Sequence, residues 1–242
     1  MPPSTKFRLL AGEVHVWCAD LTRITEIDAR LLGVLDEEEK GRASRFYEAR
    51  HRIEYAAAHA IARVLIGTYL ARPGGSIGFV RAANGKPRLI LDHGEPALRF
   101  NASRTAGAAL FAFALKREVG VDIEKIRPRS HFQELCARAL SPAERASMDR
   151  ISNEQERIRA FHRLWARKEA VVKASGDGLK IGPALFDVTE PNVQLPGKPS
   201  AEWRVADVAC DPTYAAAVAA EGADWRLADV HDCQEMLLSY CA

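Results

Sequence analysis

Asp122 and Glu124, in the run Gly120-Val-Asp-Ile-Glu124, are the first side chains whose types and spacing could do chemistry together. In an extended strand Val121 and Ile123 turn to one face and the two carboxylates to the other, about 6–7 Å apart. Two anions so placed repel unless a cation or a basic side chain stands between them. Hard oxygen donors of this kind suit magnesium. The same alternation also describes an edge strand with a solvated acidic face.

A second constellation lies in the segment Phe161-His-Arg-Leu-Trp-Ala-Arg-Lys-Glu-Ala-Val-Val-Lys173. Wound as a helix, it collects Phe161, Leu164, Trp165, Val171 and Val172 into a buried stripe, with Glu169 and Lys173 on its flank. A half-buried acid and base four residues apart could simply pair with each other. Lys168 falls inside the apolar stripe, where a lysine must either snorkel outward or meet an anion.

Two further segments offer anion-binding chemistry. Arg81-Ala-Ala-Asn84-Gly85-Lys86-Pro87 joins a turn signal to two cations, and its backbone N–H groups could face a phosphate. An ordinary basic loop would look the same. Phe100-Asn101-Ala-Ser103-Arg104-Thr105 ends a strand in a polar cluster, a composition that turns favour in any case.

The elements that must position these residues are legible in outline. Val14 and Val16 alternate with His15 and Trp17 as in an early strand. Helical pattern covers 36–49 and again 52–70, where Ile53, Ala57, Ala60, Ile61 and Val64 share a face before Arg72-Pro73-Gly74-Gly75 stops it. Strands are expected at 77–81, 88–91, 98–103, 108–115 and 119–124, the third and fourth forming a hairpin around Gly107. Helix is expected at 132–140. Ser141, Pro142 and Glu144 then form a capping box with proline at the first helical position. A long helix should span 154–175 and stop before Gly176 and Gly178, followed by strands at 185–189, 203–208 and 214–220. The pattern is mixed α/β, split near residue 116, with no repeat in the sequence itself.

Composition removes several classes of function. A net charge of +2 on 242 residues predicts neither a nucleic-acid binder nor a membrane-surface protein. The basic residues Lys40, Arg42, Arg45, Arg50 and Arg52 are nonetheless clustered, as a solvated helix face would be. The five cysteines have neither zinc nor disulfide spacing. The first ten residues lack the apolar run of a leader, and no stretch approaches the ~20 apolar residues of a membrane span. Cytoplasmic is the default location.

Taken together, these segments resemble the Sfp-type 4′-phosphopantetheinyl transferases, over most of the chain and in order. Arg45-Phe46, Arg52, Tyr55 and Ala57-Ala58-His59-Ala60 resemble the family's first helical region. Asn84-Gly85-Lys86-Pro87 resembles its G-K-P turn, and Phe100-Asn101-Ala-Ser103 its F-N-x-S strand end. Gly120-Val-Asp122-Ile-Glu124 is similar to its G-[IV]-D-[IVL]-E signature. Trp165-Ala-Arg-Lys168-Glu169-Ala-Val-Val-Lys173, followed by Gly176 and Gly178-Leu179, is similar to W-x-x-K-E-[AS]-x-x-K. The last two motifs are specific; the smaller ones alone would be weak.

The resemblance implies an α+β fold of two similar subdomains related by a pseudo-twofold. The halves would be 1–116, with the nucleotide contacts, and 117–242, with the metal site and catalytic helix, and the active site would lie in the cleft between them. It implies Asp122, Glu124 and Glu169 as ligands of magnesium, or manganese. Lys86, Ser103 and Lys173 would contact coenzyme A phosphates, with Arg42 approaching the nucleotide and residues 81–87 (Arg81, Asn84, Gly85, Lys86, Pro87) forming the loop around it. Asn101 and Arg104 complete the implied coenzyme A contacts. Glu169 is the implied general base, and Lys173 offsets charge on the leaving group. The reaction would move phosphopantetheine from coenzyme A to a serine of an acidic apo-carrier protein (acyl, polyketide or peptidyl), with the enzyme a monomer. The basic cluster at 40–52 would then have a second use as docking surface.

Two departures stand out. Many members have histidine where this chain has Arg104, which stays charged at any working pH and cannot titrate. His51 stands where aspartate is usual. A non-catalytic coenzyme A- or carrier-binding module with the same fold is the alternative, as is a different phosphoryl-transfer enzyme. Three intact carboxylates next to an anionic ligand argue against a pure binder.

Overall fold

The computed structural model describes residues 8–241. Met1 to Phe7, most of the stretch expected to lack a leader, and Ala242 lie outside the described residues. Among the described residues no helix is long and apolar enough to cross a membrane.

The chain follows one path twice. Strand β1 (Glu13–Asp20) leads through two short helices, α1 (Ala29–Gly33) and α2 (Glu37–Ser44), to the long helix α3 (Ala49–Leu70). A small hairpin, β2 (Gly78–Arg81) and β3 (Pro87–Ile90), precedes the larger hairpin of β4 (Leu98–Thr105) and β5 (Ala108–Leu115). β5 returns to pair antiparallel with β1, leaving β4 outside. The second pass starts at β6 (Val119–Lys125) and runs through α4 (Phe132–Ala139) and α5 (Pro142–Asp149) to α6 (Glu154–Ser175). The strands β7 (Asn192–Leu195), β8 (Lys198–Asp207) and β9 (Tyr214–Glu221) follow, and β9 pairs antiparallel with β6 as β5 does with β1. This duplicated strand–helix–hairpin is the α+β arrangement of two similar halves that the resemblance implies.

The final segment departs from a simple division at 116/117. Strand β10 (Arg226–Asp232) crosses back and pairs parallel with β1, giving the order β10-β1-β5-β4, and α7 (Cys233–Cys241) follows it. The other sheet has the order β6-β9-β8-β7.

Alternation along the strands sets the layers. Val14 and Val16 of β1 and Leu110, Ala112 and Ala114 of β5 face Val119, Val121 and Ile123 of β6 and Val218 of β9, so the sheets share a core. The opposite face of the first sheet, through Trp17, Phe111 and Phe113, packs on Ala57, Ile61 and Leu65 of α3. That of the second packs on Ala166, Ala170 and Val171 of α6. Each fully buried large side chain contributes roughly 1.5–3 kcal/mol. α3 is buried on a second side as well, because Tyr55, Ala56, Ala60 and Val64 meet Leu31, Val34 and Leu35.

Two expected elements differ. The helix expected over 36–49 stops at Ser44 and a new one begins at Ala49. Phe46 packs back on Tyr55, 5.3 Å between ring centroids, which turns the chain. The strand expected at 185–189 is instead a 3-10 turn, Pro183–Leu185, followed by irregular backbone. Its polar groups are met by side chains: Glu144 accepts from Val188 N at 2.9 Å, and Asp187 accepts from Thr189 N at 2.8 Å. The capping box at Ser141 forms as expected, with Pro142 at the first helical position.

Candidate functional site

The site is built where β6 meets α6, and a glycine lets them meet. A Cβ on Gly120 would lie 2.2 Å from Ala170 O and 2.3 Å from Ala174 N, so only glycine allows α6 to lie this close. With Val121 and Ile123 in the core between sheets, Asp122 and Glu124 turn toward α6, not toward solvent. Asp122 is 4% exposed. Lys173 reaches back from the last turns of α6 to donate to Asp122 Oδ1 at 2.7 Å and to Ser103 Oγ at 2.8 Å. Ser103 in turn donates to the same Oδ1 at 2.8 Å. The local pairing of Glu169 with Lys173 that helical spacing allowed is replaced by a contact across the two halves.

β4 and β6 lie edge to edge along this seam, and Asn101 Oδ1 accepts from Val121 N at 2.9 Å. Asn101 and Ser103, two apart on β4, thus address two successive residues of β6. Side chains of the two halves meet here directly.

The electrostatics are those of crowded acids. Burial, and then the neighbouring Asp122 charge, push the carboxyls of both Glu124 and Glu169 above the ordinary range; Lys173 offsets part of this. Glu124 accepts from Trp165 Nε1 at 3.1 Å and from Arg129 at 3.3 Å.

Among the described residues, no three acidic, histidine or cysteine side chains converge closely enough to hold a metal ion. The donors nevertheless fit a hard cation in their chemistry. Asp122 Oδ2 is buried and has no hydrogen-bond partner, and such an oxygen is costly to leave unmet. The two glutamates already feel its charge. Glu124 would have to release Trp165 or Arg129, at least in part, to join it.

Two further cations of the first half gather on α3. Arg42 on α2 and Arg104 on β4 are both exposed and both act on Tyr55 and His59 of α3. The Arg104 guanidinium lies 5.5 Å from the Tyr55 ring, which stacks on His59 at 4.0 Å. α2 is held in place by Arg63, 2% exposed, which binds Asp36, Glu39 Oε2 at 2.6 Å and Ile77 O at 2.7 Å.

Other expected contact residues have partners within the protein. The turn at Asn84-Gly85 forms, with Gly85 at φ 81°, but three of its amides are consumed within the hairpin. Gly85 N donates to Ala82 O, Ala82 N to Lys86 O, and Lys86 N to Asn84 Oδ1. No phosphate nest is left in those three groups. Arg81 is exposed and leans on Glu38 at 3.5 Å, while Pro87 starts β3 opposite it. Lys86 is turned inward, to Glu118 Oε2 at 3.0 Å. In the basic cluster, Arg50 is tied to Glu54 at 2.8 Å and to the carbonyls of Ile24 and Leu21, so it offers no free docking charge.

Lys168 resolves its two options by meeting an anion: Glu144 Oε2 lies 2.8 Å away and both side chains are 0% exposed. Sequence reasoning missed Glu118, which gathers Lys86, Arg88 and Arg99, and gave no polar task to Trp165. The indole N–H of a half-buried tryptophan was the available signal.

A sequence profile described as the 4′-phosphopantetheinyl transferase superfamily matches residues 118–219, the span that holds β6 and α6. The chain is 31% identical over 226 residues to 4′-phosphopantetheinyl transferase HetI of Nostoc sp., covering 93% of this chain and 95% of that one. It is 27% identical over 149 residues to a putative 4′-phosphopantetheinyl transferase of Synechocystis sp., covering 62% and 60%. It is 28% identical over 205 residues to the human L-aminoadipate-semialdehyde dehydrogenase-phosphopantetheinyl transferase, covering 76% and 66%.

Proposed function

Because the chain belongs to the 4′-phosphopantetheinyl transferase family, we propose that it moves the phosphopantetheine arm of coenzyme A onto a serine of an apo-carrier protein. Adenosine 3′,5′-bisphosphate is the other product. The observation that carries this reading is the Asp122–Lys173–Ser103 cluster, which joins the two halves beside Glu124 and Glu169.

The carrier's serine oxygen attacks the β-phosphorus, the pyrophosphate bond breaks, and the serine proton must leave. Glu169 receives that proton; burial and the neighbouring Asp122 charge raise its proton affinity above that of an ordinary glutamate. Lys173, half-buried and held by Asp122 and Ser103, places a fixed positive charge beside the charge that builds on the leaving bisphosphate. Arg42 and Arg104 anchor the nucleotide phosphates from the first half, and Asn101 fixes the seam. Asp122, Glu124 and Glu169 would hold magnesium or manganese. When bound, that ion neutralises pyrophosphate charge and acts as a Lewis acid. Labour is divided accordingly between residues 1–116 and 117–242. One chain supplies both halves, so the enzyme works as a monomer, in the cytoplasm.

The test is to incubate the protein with coenzyme A, magnesium and apo-carriers of fatty-acid, polyketide and peptide type, and weigh the carriers. A gain of one phosphopantetheine, lost in Glu169→Ala and with chelator, is expected. No gain on any carrier overturns the reading.

A further inference from the structure

Resting on that reading, we propose that Lys86 is a positioning residue which locks the nucleotide-side hairpin to the catalytic helix, and that it is not a phosphate ligand. An ammonium has three N–H donors. Those of Lys86 meet Glu118 Oε2 at 3.0 Å, Val119 O at 3.1 Å and Ala174 O at 3.2 Å. Its full donor set is spent inside the protein.

The partners are informative. Val119 opens β6, two residues before the seam with Asn101 and three before Asp122. Ala174 follows Lys173 in the last turn of α6, where carbonyls lack intrahelical partners and the helix end carries negative partial charge. Lys86 therefore caps α6 from a different part of the chain. A cation supplied from outside the helix satisfies the orphan carbonyl and the terminal dipole together. The same ammonium touches both elements that Gly120 brings into contact.

Glu118 keeps the lysine there. Its second oxygen, Oε1, accepts from Arg88 and Arg99, both at 3.1 Å, so one carboxylate gathers three cations from β3, β4 and the hairpin tip. Asn84 completes the lock from the other side of the tip. It lies against Gly176, where a Cβ would come within 2.3 Å of Asn84 Nδ2. Gly176 also needs its left-handed φ of 72° to end α6. Turning Lys86 outward to a phosphate would strip Ala174 O and leave Glu118 facing only arginines. The hairpin would then lose its hold on the helix that carries Glu169 and Lys173.

Lys86→Met and Glu118→Gln separate a strut from a ligand, because Glu118→Gln leaves the lysine charge in place but weakens its anchor. Steady-state transfer to an apo-carrier is measured for wild type and both variants, varying coenzyme A. The strut predicts that both variants lose tenfold or more in kcat, with KM for coenzyme A changed less than threefold. Hydrogen exchange at residues 172–176 should quicken in both, and Lys86→Arg should recover part of the loss. A tenfold rise in KM with kcat kept in Lys86→Met, beside a Glu118→Gln protein that behaves as wild type, overturns the proposal. If Lys86→Met does not fold, Glu118→Gln alone decides. If wild type transfers nothing, the assigned activity fails, while unchanged exchange at 172–176 would still sink the strut by itself.

Discussion

Lys168→Met removes the cation from a fully buried ion pair, and its cost can be worked from the partners. Lys168 Nζ holds Glu144 Oε2 at 2.8 Å, Pro183 O at 2.8 Å and Phe186 O at 2.5 Å, and lies 4.5 Å from the Phe186 ring centroid. Methionine fills similar volume, so the cavity cost is small. What remains is a carboxylate at 0% exposure without its countercharge, and two carbonyls without donors. Breaking one side of a buried pair costs about 3–5 kcal/mol. Glu144 keeps two backbone donors, Ser141 N at 2.8 Å and Val188 N at 2.9 Å, which places the expectation at the lower end, about 3 kcal/mol. For a chain of this size, that is a Tm drop of about 6–12 °C. Urea unfolding of wild type, Lys168→Met, Glu144→Gln and the double variant supplies the assay. The double variant should be less destabilised than the sum of the singles by 1 kcal/mol or more, on the order seen for directly coupled sites. A single-variant cost under about 1 kcal/mol, or strict additivity, would refute a coupled buried pair.

Gly120→Ala should destabilise by more than the ordinary ~1–3 kcal/mol of overpacking, since its Cβ meets backbone 2.2 Å away, and transfer activity should fall with it. A variant with wild-type Tm contradicts the close β6–α6 approach. Burial holds His15, His59 and His162 below the usual histidine value of 6.5, so the folded state binds fewer protons than the unfolded chain. Their stability contribution is full above pH 6.5 and is lost as pH falls through the folded values, at up to about 1.4 kcal/mol per pH unit for each proton. His162→Gln should flatten the urea-measured profile between pH 7.5 and 5.5; parallel profiles would discount His162. Arg104→His should introduce a rise in KM for coenzyme A near pH 6–7, absent from wild type, because histidine discharges there and arginine does not. Equal pH profiles would remove Arg104 from the phosphate contacts.

What was legible in the sequence follows the range of the interactions. The faces of β6, the limits of α6 and the Ser141 cap depend on neighbours within a few residues, and alternation, helical phase and cap spacing report them. The demand of Lys168 for an anion was also readable, because it arises from one helix's own stripe, but Glu144 as its partner was not. Residues 185–189 alternate like a strand, yet side chains of Glu144 and Lys168 take the place of a neighbouring strand. The turn at 84–85 could be foreseen; that three of its amides would be bonded within the hairpin could not. Lys86 shows the limit most plainly. Its acceptors lie 32, 33 and 88 residues away, and no local pattern distinguishes a lysine aimed at a phosphate from one aimed at a helix end.

The parallel pairing of β10 with β1 has a consequence for how the protein comes into being. A ribosome delivers β1 about 200 residues before β10, with Glu13 destined to lie opposite Arg226. Until β10 emerges the nascent first sheet therefore has an unpaired edge at β1, and it also lacks Cys233, which is fully buried beneath it. An open edge of that kind invites pairing with other chains. Translation arrest before residue 226 thus strands an intermediate with the β1 edge open. Among the described strands β10 follows all the others, and it covers β1 by taking its place as the outer strand.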